Sequence, residues 1–394
     1  MKRLSLALLL GLSLAQGGPP ALEALLVLQE EVIEEGELRT YTGVQRYPVA
    51  SEGELKALLK KLAREPRPPR FVFQEGKWRG VEKKGLAFEE KEALAAYREA
   101  RAQGKKSFRL PVRYLPPSPS LRELHALGVR EHLATGETDF RGSSPERRHN
   151  LLLASAKLDG LLIPPGPFSF NEALGPVTEE EGYKEAFVIV GDRTEQGVGG
   201  GVCQVSTTLF RAFFFAGLPL LERHAHSYQV AYYKPPGLDA AVFQPYKDLK
   251  VLNDTPGHLL VQRSVVGTRL RFHLFGTKDR EVRWEGPFAS ERKPPLPPRE
   301  IPDPSLPPGV RKQVDFAAEG AKVLVRRTVR YRDGQVREDQ VVSVYRPWGA
   351  VYLVGPKPEA PGGPPAPREG GGGAPSPRPL PPAAGEGTAP PAGQ

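Results

Sequence analysis

A single cysteine stands among 394 residues, which excludes an internal disulfide and leaves the fold to be held by buried cores. One Cys and seven His, without the spaced ligand pairs of zinc sites, give no metal centre, and no cofactor is expected. Past the first residues no apolar run approaches the roughly 20 needed to span a bilayer. Charge is not one-sided either: 55 Lys and Arg stand against 46 Asp and Glu, a net +9. The basic residues are spread along the chain and no motif for reading nucleic acid occurs, so nucleic acid is excluded as the partner. An anionic wall polymer or a peripheral contact with anionic lipid headgroups suits this balance, as does a merely soluble surface.

The opening stretch MKRLSLALLLGLSLAQG is what is present in place of a membrane span. Lys2 and Arg3 precede a short apolar run, and Ser13-Leu14-Ala15 is a small-x-small cleavage site. Residues 1–15 therefore read as a signal peptide cut after Ala15, with an uncleaved anchor as the alternative. No cysteine adjoins the site, so a lipoprotein anchor is excluded. The expected location is outside the cytoplasm, secreted or in the periplasm or cell envelope.

Pro and Gly divide the rest into blocks, and the pattern predicts an α+β, multidomain chain. Over 23–116, LKALLKKLA has helical spacing, RFVFQEGKWRG turns like a hairpin, and FEEKEALAAYREARAQGK is a helix stopped at Gly104. The strand FRLPVRY follows. Over 121–276, ERRHNLLLASAKLDG and TTLFRAFFFAGL read as helices, while SYQVAYY, AAVF, LLVQRSVV and TRLRFHLFG read as strands. Residues 291–310 form a proline-rich spacer, 313–357 a small β-rich module with a hairpin turn at Asp333-Gly334, and 358–394 a disordered Pro/Gly-rich tail.

The thiol sits in GVGGGVCQVSTTLF. Cys203 just precedes a predicted helix, whose unpaired N–H groups and partial positive charge favour thiolate over thiol. The run Gly199-Gly200-Gly201 leaves the backbone open to whatever docks there. A nucleophilic cysteine needs a base and an orienter, and His226 and Asp239 follow, each at the start of a predicted strand. Gln204, or amides near Gly201 and Cys203, would steady an oxyanion. The plain alternatives are a buried structural thiol, satisfied histidines and a tight turn.

The motifs NLLLASAKLDGLLIPPGPFSFNEALGPVTEEEGYKEAFVIVG, GVGGGVCQVSTTLFRAFFFAGL, ERHAHSYQVAYYKPPGLDAAVF and DLKVLNDT together resemble the VanW domain, over about Arg147 to Gly276. That family takes its name from an accessory gene of a vancomycin-resistance cluster and is common in bacterial envelope proteins. The resemblance matches Cys203, Gln204, Ser206 and Thr207 to the family's GGGxCQxST core, His226 and Ser227 to its HS pair, and Asp239 and Asn253 to its later polar positions. His224 falls outside the pattern. The block 23–116 resembles a peptidoglycan-binding domain that often precedes VanW domains, and residues 313–357 resemble a short G-five domain. The resemblance implies peptidoglycan or a related wall polymer as partner. Two readings stay open: an accessory or wall-binding protein, and a cysteine-dependent amidase or acyl-transfer enzyme using Cys203, His226, Asp239 and Gln204.

Overall fold

The computed structural model describes residues 20–190 and 193–357; the signal peptide and tail expected at the two ends lie outside the described residues. Alternating Leu22, Ala24, Leu26 and Leu28 bury one face of the strand Leu22–Glu34, which pairs in a hairpin with Glu37–Val49. Glu35 and Gly36 both take positive φ, the geometry that matches a two-residue turn to strand twist. A second hairpin, Arg67–Gln74 with Lys77–Lys83, joins this sheet. The helices Glu52–Leu62 and Glu90–Ala102 cover it with Leu55, Leu59, Leu94 and Tyr97. Ser51 caps the first helix by accepting from Glu54 N, and the second ends before Gly104 at φ 63°. FRLPVRY is not one strand. Pro111 lacks the N–H a continuous ladder needs, and the chain splits into Ser107–Arg109 and Arg113–Leu115.

The next sheet is antiparallel, in the order Glu131–Asp139, Arg269–Gly276, Leu259–Val266, Leu162–Ile163. Phe71 of the second N-terminal hairpin stacks on Phe275 of this sheet at 4.1 Å, and the Gln262 side chain bonds both backbone groups of Phe71 at 2.8 Å. The N-terminal block is thus joined to the sheet by packing and by paired polar groups.

Across the sheet lies the helix Val202–Phe215, in which every residue from Gln204 to Phe214 is buried. A helix without a polar face belongs in the middle of a core. Its Phe210, Phe213 and Phe214 are fully buried, each contributing ~2 kcal/mol of apolar transfer. It comes so close that a Cβ on Gly136 would stand 2.0 Å from Thr208 O, so only glycine fits there. The helix Pro145–Lys157 packs beside it, its Leu151 and Ala154 in the same core.

SYQVAYY and AAVF, which alternate like strands, are not strands. The first is irregular chain ending in a 3₁₀ turn at Ala231–Tyr233, and the second makes only isolated bridges, His224 to Ala241 and Phe243 to Lys247. Their alternation comes from side-chain packing: Tyr228, Val230 and Tyr233 bury with Trp348, and Tyr228 stacks on that indole at 4.0 Å.

The C-terminal strands Arg280–Lys293, Gly320–Tyr331 and Val336–Tyr345 form a three-stranded sheet, with Gly334 at φ 89° in the predicted turn. The first three residues of the expected spacer, 291–293, complete Arg280–Lys293, because Lys293 still finds a ladder partner in Gly320. Val325 and Val341 enter the core around the Val202–Phe215 helix. Among the described residues the chain divides into two compact units, one running to Arg299 and again over Gln313–Val351, the other Glu300–Lys312 with the chain from Tyr352 on. Within the second, Asp303 N donates to Val354 O at 2.8 Å and Arg311 lies over the Tyr352 ring. The architecture is α+β with several sheets. No helix among the described residues is long and apolar enough to cross a membrane.

Candidate functional site

The glycine run sets where the cysteine helix begins. Gly201 is its N-cap at φ 116°, a conformation side chains avoid. A Cβ on Gly199, Gly200 or Gly201 would come within 2.3 Å of Val177 Cγ1, 2.7 Å of Phe187 O and 2.9 Å of Arg147 O respectively. These glycines therefore do not open the backbone to a ligand, as their sequence suggests; they let the protein's own chain close against the helix start.

Cys203 is half-buried, one residue into the helix, with Sγ 3.4 Å from Val242 O. The His226 imidazole acts on the thiol from one side. On the other, Nδ1 lies 2.5 Å from Asp239 Oδ2, an oxygen that also accepts the His226 backbone N–H at 2.9 Å. The second Asp239 oxygen accepts from Arg223 Nη2 at 3.0 Å and from the Tyr345 hydroxyl. His226 and Asp239 are each less than 5% exposed. The three residues that the sequence spreads over 37 positions thus stand at one site, with His226 bonded to Asp239 and acting electrostatically on Cys203.

The irregular loop carrying His226 and Asp239 is held from the helix side. Arg211 donates to Leu238 O at 2.9 Å, Glu137 O at 2.7 Å and Tyr233 O at 2.7 Å. Ser206 donates to Ala240 O at 2.6 Å, and Thr207 Oγ1 accepts Ala240 N at 3.0 Å. The Ser-Thr pair after the cysteine is therefore a clamp on the residue after Asp239. Such a loop needs these anchors because it has no sheet ladder to satisfy its backbone.

Electrostatics favour an ion pair. Burial alone would push the Cys203 thiol up, but the hydrogen bond and charge of His226, the Val242 backbone and the Arg147 guanidinium bring it below its ordinary value. Burial pulls His226 down, and the bonds and charges of Asp239 and Cys203 outweigh it, carrying the imidazole up to about 9. Burial opposes ionisation of Asp239 too, yet His226, Arg223 and Tyr345 hold its carboxyl well below the usual range.

The remaining candidates lie elsewhere. Gln204 is fully buried with Nε2 on Thr138 Oγ1 at 3.1 Å and Oε1 unpartnered, so its amide is committed to the neighbouring sheet. His224 turns to Glu222 at 3.0 Å. Asn253 caps a turn, donating to Ile163 O and Gly257 O at 3.0 Å. Arg223 lies inside ERHAHSYQVAYY without being marked there as a site residue, and Tyr345, 106 residues beyond Asp239, carries no sequence signal linking it to the site. Among the described residues no cluster of three or more His, Cys, Asp or Glu is arranged to hold a metal ion.

Residues 146–275, which contain Cys203, His226 and Asp239, match the family described as VanW like protein. This segment is VanW-like. The chain is 34% identical over 176 residues to the uncharacterized protein YoaR of Bacillus subtilis (strain 168), covering 44% of this chain and 57% of that relative. It is 35% identical over 113 residues to the vancomycin B-type resistance protein VanW of Enterococcus faecalis (strain ATCC 700802 / V583), covering 27% of this chain and 40% of that protein. The chain thus spans about half the length of the curated relatives it matches. Arg223, Ser206 and Thr207 belong to the VanW-like segment, whereas Tyr345 lies beyond it.

Proposed function

We propose that the VanW-like segment is a cysteine-dependent amidase or acyl-transfer enzyme that acts outside the cytoplasm on amide bonds of cell-wall peptide. The observation that carries this reading is the buried His226–Asp239 pair, 2.5 Å apart, acting on half-buried Cys203, with thiol and imidazole each shifted toward the charged form. The Cys203 thiolate attacks the carbonyl carbon, forming a C–S bond while the oxygen becomes an oxyanion. The Cys203 backbone N–H at the helix start steadies that charge. As the C–N bond breaks, the His226 imidazolium passes its proton to the departing amine, leaving a thioester. Neutral His226 then takes a proton from water or a second amine, which attacks the thioester and frees the thiol. Asp239 holds the imidazole in the tautomer and orientation this requires.

The accessory, wall-binding reading is favoured by a different observation, the net +9 charge, with the N-terminal block and the C-terminal hairpin as the wall-gripping parts. One experiment separates the two. The protein and its Cys203→Ala variant are incubated with purified wall sacculi, and new amine ends and retained protein are both measured. The expected result is amine release that falls by ~10³-fold or more in the variant, with binding kept. Binding without amine release in either protein would leave the wall-binding role alone.

A further inference from the structure

Near Cys203 stands a guanidinium, that of Arg147, for which no carboxylate partner is found among the described residues. Arg147 packs against the cysteine helix at its first turn: its Cγ would lie 3.3 Å, and its carbonyl 2.9 Å, from a Cβ on Gly201. Its Cζ lies over the Tyr232 ring at 4.8 Å, and Tyr232 meets Tyr233 edge-on at 4.7 Å. Tyr233 in turn lies 4.9 Å from the His226 ring, so the arginine, the two tyrosines and the imidazole form one continuous wall from Arg147 to His226. Arg147 donates through Nη1 to Ser143 Oγ at 2.6 Å. The groups that act most strongly on its charge are Tyr232, Tyr233 and Cys203.

Buried Arg211 is satisfied by the backbone carbonyls of Leu238, Glu137 and Tyr233, and three further arginines by carboxylates. Arg223, Arg280 and Arg327 are each paired with a carboxylate, at 3.0, 2.6 and 2.6 Å. A half-buried guanidinium has five N–H donors and is satisfied best by a planar, two-oxygen anion. Tyr232, 42% exposed, opens this wall to solvent, so such an anion can enter from outside.

We propose that Arg147 is a specificity residue that receives a carboxylate of the substrate, so that the amide presented to Cys203 is one flanked by a free carboxylate, as at the C-terminal residue of a peptide. This rests on the reading of Cys203 as a nucleophile, and the test keeps the two apart. The anionic reagent iodoacetate and its neutral amide, iodoacetamide, alkylate a thiolate by the same step: an S–C bond forms, the C–I bond breaks and iodide leaves. Their rate ratio therefore reports the charge environment of the sulfur, without any turnover.

Both rates are measured on the full chain at one pH, for the wild type and for Arg147→Met and Arg147→Lys, each checked by thermal melting. The iodoacetate-to-iodoacetamide ratio should fall about tenfold in Arg147→Met, the size expected for loss of one charge a few ångströms from the reacting atoms. Arg147→Lys, which keeps the charge without the planar fork, should recover part of it. A ratio unchanged in Arg147→Met, with the thiol still reactive, overturns the carboxylate site while leaving the nucleophile. A wild-type thiol that reacts with neither reagent until the protein unfolds overturns the nucleophile and this proposal with it. Should Arg147→Met fail to fold, Arg147→Lys together with a free-cysteine reference gives the same decision: a wild-type ratio equal to that of free cysteine overturns the site.

Discussion

Burial makes Cys203 a weaker acid, and its neighbours more than reverse this. The linkage gives two opposite pH limits. His226 titrates near 9 in the fold against 6.5 ordinarily, so the stability it contributes is complete below about 6.5 and is lost as pH rises through about 9. Asp239 is shifted the other way; its contribution is complete above the ordinary carboxylate range and is lost as pH falls through its depressed value. Alkylation of the single thiol followed against pH should rise with a midpoint below the roughly 8.5 of a free cysteine. His226→Ala leaves burial unopposed by the imidazolium and should raise that midpoint. His224→Ala, whose ring faces Glu222, should leave it in place. A midpoint that stays the same in His226→Ala would separate the imidazole from the thiol's acidity.

At the scale of elements, the cysteine helix was legible because glycine punctuation, a thiol and an apolar run each leave a local mark in sequence. The loop bearing His226 and Asp239 was misread because alternation of buried side chains is also what a strand produces. Here Tyr228 and Val230 alternate against Trp348, a residue more than a hundred positions away, while the backbone is held by Arg211, Ser206 and Thr207. Nothing within the loop's own sequence distinguishes those two causes. Gly201 suggests space for a ligand in sequence, yet the space beside it is filled by Arg147. This distinction predicts a mutational effect. Gly201→Ala combines a φ of 116° with backbone 2.9 Å away and should cost ~2 kcal/mol or more in urea unfolding, with altered thiol labelling. Gly43→Ala, in a strand with ordinary φ and nothing within 4 Å, should be close to neutral. Equal costs for the two would mean the closure at the helix start is not under strain.

At the scale of the whole molecule, the VanW-like segment and the C-terminal hairpin share one core and one site. The Arg327 side chain is fully buried, donating to Phe214 O at 2.8 Å and Leu218 O at 2.9 Å and pairing with Asp339 at 2.6 Å. It thereby satisfies carbonyls where the cysteine helix ends, which otherwise face a core without partners. Tyr345 joins the site itself: it donates to Asp239 and accepts Gly237 N at 2.7 Å. Sequence composition divides the chain near 291–310 because proline there resembles a linker, but composition does not register a buried arginine or a tyrosine reaching back to an aspartate. A chain ending at Gly276 would lose both and leave several buried polar groups unpaired, each costing ~1–3 kcal/mol. The full chain should therefore unfold in urea with the thiol and the hairpin exposed in a single transition, whereas the chain ending at Gly276 should label at Cys203 at the rate of an unfolded thiol. Tyr345→Phe, which keeps the ring and removes only the donor to Asp239, should stay folded yet shift the alkylation midpoint, because one of the groups holding that carboxylate ionised is gone. A chain ending at Gly276 that folds with unchanged stability and the same thiol midpoint would make the hairpin a separate module after all.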